Sequence, residues 1–204
     1  MTRAALPTAA RAILIFSGTV LAAGCSDRTE ESPEPAAATP PATMAIDSQA
    51  VRNATYMSQF TETGFVELMD GEFRDSEQRV HAGLDPHMAF GDLDGDPAAE
   101  AAVIVGTNTG GSGGFVDLAI LDDRGGGAVN VATLFLGDRV RIHSMAIVDR
   151  EVVLDATMHT PDDPMCCPSL RATRRFWLDR GSLVEHDRPD GAMNYGPLDG
   201  DLVP

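Results

Sequence analysis

Short apolar runs separated by turn residues follow one another along most of the chain, and they constrain the fold more than any other feature. In several runs apolar and polar residues alternate, which is the pattern of a strand with one buried face. The runs are short and follow one another at regular spacing with turn residues between them, so they predict antiparallel pairing rather than β-α-β units. The sequence therefore predicts a mainly β fold, a single antiparallel sheet or meander, with an α+β fold as the alternative. The predicted strands are 64–69, 72–73, 99–106, 115–121, 128–136, 140–148, 152–158, 171–178 and 182–185.

Residues 47–60 precede these runs and have the spacing of a short N-terminal helix. Asp47 or Ser48 can cap its first turn, because a side-chain oxygen there accepts a backbone N–H. Two tight turns are expected further along the chain, at residues 70–71 and 149–150. No repeat of fixed period is present, which disfavours a propeller or a solenoid.

The first 24 residues have the pattern of a secretory signal. Arg3 and Arg11 precede a short apolar run, residues 12–23, that ends in small residues. This run is shorter than the roughly 20 residues that span a bilayer. The segment ends in Leu-Ala-Ala-Gly-Cys, which resembles the lipobox of bacterial lipoproteins. The resemblance implies that residues 1–24 are removed and that Cys25 becomes the lipidated first residue of the mature chain.

Residues 25–46 contain four prolines, several acids and almost no large apolar side chain. Such a segment buries too little surface to offset the entropy of ordering, so it predicts a disordered Pro/Glu-rich tether. The composition then places one β-rich globular domain at 47–188. Residues 189–204 are again rich in Gly, Pro and Asp, and they predict a flexible tail.

The chain is strongly acidic, with a formal net charge of -16. Removing residues 1–24 takes away two arginines and no acids, so the mature charge becomes -16 - 2 = -18. This charge repels phosphates and, with an aromatic fraction of only 5%, argues against binding of nucleic acid. Cations and basic envelope partners are favoured instead.

The segment FGDLDGDPAAEAAVIV joins an acidic loop to one of the apolar runs. Asp92, Asp94 and Asp96 occupy positions one, three and five of this loop, and Glu100 occupies position nine. In a tight loop such side chains can point to one centre, and the carbonyl of Ala98 can join them. Calcium takes about six to eight oxygen ligands in flexible geometry, so these residues predict a Ca²⁺ site.

The acidic loop resembles the aspartate loop of FG-GAP repeats, D-x-D-x-D-G-x-x-D, which an apolar strand also follows. It departs from that pattern at Pro97, where the repeat has glycine, and at Glu100, where the repeat has aspartate. An EF-hand is excluded, because Val103 stands where that loop needs a bidentate Glu. The alternative is a surface turn whose aspartates accept backbone N–H groups. In such a turn the crowded carboxylates would repel each other without a cation.

The segment GTNTGGSGG contains a Gly-x-Ser-x-Gly pattern at Gly110, Ser112 and Gly114. A nucleophile elbow needs a strand before the serine and a helix after it. The residues that follow, FVDLAILDD, predict a strand. A connection between neighbouring strands is therefore favoured over a hydrolase site at Ser112, which stays an alternative.

Cys166 and Cys167 are adjacent within HTPDDPMCCP. Neighbouring Cα atoms lie about 3.8 Å apart, below the usual disulfide range of about 4.4–6.8 Å, so a bond between them closes a strained ring. An oxidising export compartment favours this vicinal disulfide. Two alternatives stay open: a buried reduced pair, and a soft-metal site that adds His159 or Met165.

Four motifs occur in the order FGDLDGD, Gly-Gly-Ser-Gly, LGDRV and DPMCCP. This combination resembles a group of uncharacterised bacterial lipoproteins over roughly residues 47–185. The resemblance implies an exported, lipid-anchored, β-rich domain. It implies no activity and no catalytic residues.

These features predict a protein of the bacterial cell envelope, lipid-anchored in the periplasm, at the outer membrane or on the cell surface. Its domain is expected to be a binding or structural module that carries a calcium loop, and a binding role is favoured over catalysis. The expected partners are the membrane, through the anchor, and cationic envelope components. The alternatives are a hydrolase that uses Ser112 and a redox- or metal-sensing protein that uses Cys166 and Cys167.

Overall fold

The computed structural model describes residues 46–125, 127–186 and 188–193. These residues belong to one compact unit, Pro41–Pro204. The predicted signal segment, Cys25, the tether up to residue 45 and the part of the predicted tail after residue 193 lie outside the described residues. Within the described ranges, no helix is long and apolar enough to cross a membrane.

The mainly β fold is confirmed: strands contain 57% of the described residues, all sheets are antiparallel, and one short helix precedes the strands. The elements in chain order are α1 (Ser48–Arg52), β1 (Thr55–Met57), β2 (Phe65–Glu67), β3 (Glu72–Asp75), β4 (Val80–Gly91), β5 (Glu100–Asn108), β6 (Phe115–Asp123), β7 (Ala128–Asp138), β8 (Arg141–Val148), β9 (Glu151–Met158), β10 (Leu170–Asp179) and β11 (Ser182–His186).

The N-terminal helix is shorter than the sequence predicts. Asp47 caps α1, and its Oδ1 accepts the N–H of Ala50 at 2.7 Å. The helix ends before Asn53, because the following residues join a strand instead of continuing the turn. Tyr56 lies in that strand, is fully buried, and donates its hydroxyl hydrogen to the carbonyl of Val51 at 2.6 Å.

The strands form three antiparallel sheets, and in the described structure all neighbours in a sheet are also neighbours along the chain. The central sheet has the order β3-β4-β5-β6-β7, and the outer sheet has the order β11-β10-β9-β8. The strands β1 and β2 form a small separate hairpin. The predicted meander is therefore present, but its strands are divided among three sheets.

The two predicted turns have different outcomes. Asp149 and Arg150 both have positive φ, 53° and 65°, and they connect β8 directly to β9 as predicted. The Asp-Gly turn near residue 70 also forms, but its flanking residues make only one bridge, between Met69 and Glu72. The strands on either side pair elsewhere, β2 with β1 and β3 with β4.

Both faces of the central sheet are buried. Strands with two buried faces lose the alternation of period two, which explains the continuous apolar run of β5. One face packs against the outer sheet, with Ile104, Leu118, Ile120, Leu154 and Phe176 in the shared core. The other face packs against α1 and the small hairpin, with Val51, Tyr56, Leu68, Val103, Val105 and Leu121 in the shared core.

The connections of the central sheet lie at alternate ends, because each strand runs antiparallel to the one before it. The acidic loop, residues 92–99, joins β4 to β5. The β6–β7 turn lies at this same end. The glycine loop, residues 109–114, joins β5 to β6 and lies at the opposite end.

Side-chain contacts show which connections of the outer sheet lie at each end. The guanidinium of Arg150, in the β8–β9 turn, lies against Gly95 of the acidic loop. Arg139, at the link between the two sheets, donates a hydrogen bond to the carbonyl of Met165. Met165 belongs to the cysteine loop, residues 159–169, which joins β9 to β10. The acidic loop and the cysteine loop therefore lie at opposite ends of the strands.

The outer sheet also buries an ion pair. Arg174 donates to both carboxylate oxygens of Glu185, at 2.5 and 2.9 Å, and its guanidinium lies 4.9 Å from the ring centre of Phe176. Burial raises the pKa of Glu185, but hydrogen bonds and charge from Arg174 and Arg188 outweigh it, and the net pKa is lowered. The pair thus joins β10 to β11 without leaving a buried charge unpaired.

Asp117 on β6 is a carboxyl group inside the central sheet. It is 4% exposed, and its cross-strand neighbours are Val105 and Phe135, whose side chains offer no hydrogen-bond donor. Burial raises the pKa of Asp117 to about 7. The folded protein therefore holds a proton there that the unfolded chain releases in more acidic solution.

We predict that this carboxyl makes the folded state less stable as pH rises. The unfolded carboxyl loses its proton near pH 3.8 and the folded one near pH 7, so stability falls between these values and stays low above them. The cost reaches about 4 kcal/mol. The Asp117→Asn variant should be more stable than the wild type at pH 8 and close to it at pH 4, as measured by urea unfolding. A stability difference that does not change with pH would contradict this assignment.

Candidate functional site

The aspartates of the acidic loop fold the loop by accepting its own N–H groups. Asp92 Oδ1 accepts the N–H of Gly95 at 2.6 Å, and Asp94 Oδ1 accepts that of Asp96 at 3.0 Å. Asp96 Oδ1 accepts the N–H of Ala98 at 2.7 Å. Each side chain thereby mimics a backbone turn, as aspartate does in polar turns generally.

Three of the predicted ligands converge. One carboxylate oxygen from each of Asp92, Asp94 and Glu100 lies within 4.8 Å of the other two. Asp96, which the spacing predicts as a further ligand, lies outside this group and caps the backbone instead. The role of the Ala98 carbonyl as a ligand stays a prediction.

The loop makes its left-handed turn at a different position from the FG-GAP pattern. That pattern has glycine at position six, where this chain has Pro97. Gly95, at position four, has a φ of 93° and supplies the positive angle instead. The proline therefore does not prevent the loop from bringing three carboxylates together.

Glu100 is the buried member of the group. It is 1% exposed, and its Oε2 accepts the N–H of Leu93 at 2.6 Å. The backbone N–H of Asp94 also lies close to this carboxyl, but Oε1 is buried without a hydrogen bond of normal geometry among the described residues. Burial is the main cause that raises the pKa of this carboxyl, and the charges of Asp94 and Asp96 add to it against opposing backbone hydrogen bonds. A buried acceptor without a donor is destabilising unless a ligand occupies it.

Arg150 supplies part of the compensating charge. Its Nε lies 3.9 Å from Asp92 Oδ1, and its side chain is about half exposed. A Cβ at Gly95 would come within 2.5 Å of this guanidinium and would make the arginine side chain shift, and the φ of 93° independently favours glycine. In the described part of the chain, no salt bridge reaches Asp94 or Glu100.

The carboxylate group opens onto a cleft of about 700 Å³, which we call the acidic cleft. It lies between the acidic loop, the β6–β7 turn and the β10–β11 turn. Its charged lining residues are Asp94, Glu100, Asp122, Arg124, Asp179 and Arg180. Both arginines pair with lining aspartates, Arg124 with Asp122 at 2.8 Å and Arg180 with Asp179 at 3.3 Å. Neither arginine of the described cleft lining pairs with Asp94 or Glu100.

This arrangement suits a hard divalent cation. Carboxylate oxygens are the ligands that calcium prefers, and calcium tolerates irregular geometry. The three carboxylates supply part of a coordination shell of about six to eight oxygens. The cleft leaves room for water or a ligand to supply the rest. Among the described carboxylate oxygens, Oε1 of Glu100 is the best candidate ligand for such a cation, because it is buried and has no hydrogen-bond partner.

The glycine loop does not assemble a hydrolase site among the described residues. It connects two strands, β5 and β6, so the strand–turn–helix geometry of a nucleophile elbow is absent from it. The partner of Ser112 Oγ is Arg139 Nη2 at 3.4 Å, and no histidine or carboxylate hydrogen-bonds to it there. In the described ranges Ser112 therefore has no general base within hydrogen-bonding distance of its hydroxyl.

The cysteine loop presents a bonded pair of sulfurs. The Sγ atoms of Cys166 and Cys167 are joined, the two Cα atoms lie 3.7 Å apart, and both residues are exposed. The exposure differs from the alternative of a buried reduced pair. His159, the nitrogen ligand considered for a soft metal, is buried beside Asp163, with its Nδ1 3.9 Å from Asp163 Oδ2.

Several residues that line the acidic cleft or contact the three loops were not predicted from the sequence. The alternation of loops in a meander places the turns near Asp122 and Asp179 at the same end as the acidic loop, so the chain did carry a signal for the cleft. Arg150 and Arg139 lie far along the chain from the residues they contact. No pattern of spacing predicts those contacts.

Comparisons with family models, with curated proteins and with solved structures found no match to this chain.

We predict that the Glu100→Gln variant stabilises the metal-free protein. The substitution removes a buried charge and its repulsion from Asp94 and Asp96, while the side-chain oxygen still accepts the N–H of Leu93. In excess chelator, thermal unfolding at pH 7.5 should show a gain of about 1–3 kcal/mol. The matched control, Asp96→Asn, changes an exposed carboxylate outside the group and should shift stability by about 0.5 kcal/mol or less. Destabilisation by Glu100→Gln in chelator would contradict the assignment.

Proposed function

We propose that this protein is an exported, lipid-anchored module of the bacterial cell envelope whose acidic loop holds a calcium ion. Binding rather than catalysis is its role, and the acidic cleft is the surface on which it binds. The export and anchoring parts of this proposal rest on the signal pattern, the lipobox resemblance at Cys25 and the acidic tether. The calcium part rests on the geometry of the loop.

The single observation that carries the calcium proposal is the Oε1 atom of Glu100. It is buried and partnerless in the described structure, and it belongs to a carboxyl that lies beside Asp92 and Asp94. Glu100 also caps a backbone amide, that of Leu93, through Oε2, but capping alone does not explain why Oε1 is buried without a partner. A divalent cation would give the oxygen a partner and would neutralise the repulsion among the three groups.

Calcium would be held at the edge of the cleft and not in a closed cage. Asp92, Asp94 and Glu100 would supply the protein ligands, and the cleft side would stay open to water or to a bound partner. Calcium binding would also displace any proton that Glu100 retains because its pKa is raised. Binding should therefore weaken as the solution becomes acidic.

We predict that calcium raises the melting temperature of the wild-type protein. Extracellular modules hold calcium with dissociation constants of about 0.1–1 mM, so 10 mM calcium should add roughly 1–3 kcal/mol. The measurements are calorimetric titration and thermal unfolding with calcium or with chelator. Glu100→Gln should abolish the calcium shift, whereas Asp96→Asn should retain it.

Absence of a shift in the wild type at 10 mM calcium would refute the calcium site. A shift that survives Glu100→Gln would show that calcium binds elsewhere on this acidic surface. The two variants differ from the wild type by the same change of charge, so general screening by salt affects both equally.

We predict that the Cys25→Ser variant is released from the membrane. The lipidated cysteine of the proposed mature chain would carry several acyl chains, and anchoring by more than one chain is stable. In a bacterial host that processes lipoproteins, the wild type should incorporate labelled fatty acid and sediment with membranes. The variant should do neither, and wild-type protein that stays unacylated and uncleaved would overturn the proposed location.

A further inference from the structure

The cysteine loop exposes two bonded sulfurs at the end of the molecule opposite the acidic loop. Cys166 and Cys167 are both exposed, and the neighbouring Met165 is 78% exposed. Solvent and partner molecules can therefore approach the two residues that carry the bond. This distinguishes it from a disulfide that is enclosed in a core.

The bond has no evident structural role. A disulfide stabilises a protein mainly by closing a loop of the unfolded chain, and the gain grows with the length of that loop. Cys166 and Cys167 are adjacent, so their bond closes only a small ring within the dipeptide and no longer loop of the chain. Its loss should therefore cost little stability.

Other contacts hold the cysteine loop in place. The carboxylate of Asp163 accepts the N–H of Thr160 at 2.8 Å, the N–H of Ser169 at 2.9 Å and the hydroxyl of Ser169 at 2.7 Å. Hydrogen bonds from Ser169 and Thr160 lower the pKa of Asp163 to about 2, so this acceptor stays ionised near neutral pH. The base of the loop is thus fixed without the sulfurs.

The middle of the loop is fixed by Arg139. Its Nη1 donates to the carbonyl of Met165, and its Nη2 donates to the carbonyl of Ser112 in the glycine loop. The N–H of Cys167 donates to the carbonyl of Pro164 at 2.9 Å. None of these hydrogen bonds involves the sulfur atoms of the two cysteines.

Adjacency and exposure together make this bond reactive. The Cα separation of 3.7 Å lies below the range in which disulfides are usually found. Disulfides outside that range are more easily reduced, and exposed ones are typically labile, regulatory or catalytic. An exchangeable sulfur pair on a rigid loop fits these properties, and a structural crosslink does not.

We propose that Cys166 and Cys167 form a reversible dithiol–disulfide couple that exchanges electrons with a dithiol partner. A thiolate of the partner attacks one of the two Sγ atoms, the Cys166–Cys167 bond breaks, and a mixed disulfide forms. The second thiolate of the partner then attacks the sulfur atom that the partner itself contributed to the mixed disulfide. The partner leaves as a disulfide, and the two cysteines, having gained two electrons, take up two protons as thiols.

The test uses the full chain with Cys25→Ser, which removes the third cysteine. Folded protein is incubated with or without reduced dithiothreitol, alkylated with iodoacetamide and weighed intact by mass spectrometry. The expected result is no adduct without reductant and two adducts after it, with a melting temperature that changes by about 2 °C or less. Oxidised glutathione, added to the reduced protein before alkylation, should restore the bonded form, which then takes up no adduct.

Phenylarsine oxide provides a second readout. It bridges two neighbouring thiols with loss of one water, so the reduced protein should bind one arsenical per chain. Variants with Cys166→Ser or Cys167→Ser should form no such bridge, and the double variant should melt within about 2 °C of the parent protein.

Three results would overturn the proposal. Two adducts before any reductant would show that the bond does not form in the protein. Resistance of the folded protein to dithiothreitol would show that the bond is protected. A fall in melting temperature of about 5 °C or more on reduction would show that it is a structural crosslink.

Discussion

The burial of the central sheet on both faces is the constraint on which the rest of the structure depends. It makes β5 and β6 the innermost strands, with the outer sheet on one side and α1 with the small hairpin on the other. Glu100 is the first residue of β5 and follows the acidic loop directly, so its carboxyl is buried where the central sheet begins. The same packing that stabilises the fold thus buries the charge that defines the candidate metal site.

Apolar periodicity was sufficient to predict the fold class and most strands, because burial on one or two faces leaves a direct trace in the chain. It was insufficient for β4, where Pro86 and a register shift between Leu84 and Met88 interrupt the alternation. It also did not predict how strands divide into sheets. A period of two indicates which side chains are buried, but it does not indicate which strands pair. The strands on either side of the Asp-Gly turn, β2 and β3, pair with β1 and β4 and not with each other.

The candidate site was partly predictable for a similar reason. Spacing along one loop placed Asp92, Asp94 and Glu100 near a common centre, because neighbouring positions share one local geometry. Spacing did not distinguish Asp96, whose carboxylate turns back to the N–H of Ala98. Nor did it indicate Arg150, which reaches the loop from another sheet. Contacts of that kind arise from tertiary packing and leave no local pattern.

The alternation of connections along the meander has a consequence for how the proposed calcium site and the proposed sulfur couple relate. The acidic loop and the cysteine loop lie at opposite ends of the strands, and a strand of nine residues such as β5 spans about 30 Å. That distance is roughly three to four screening lengths at physiological ionic strength. Binding of a cation at one end should therefore not affect disulfide exchange at the other, and substitutions at the two ends should combine additively. Selection can then tune each end separately on a shared scaffold.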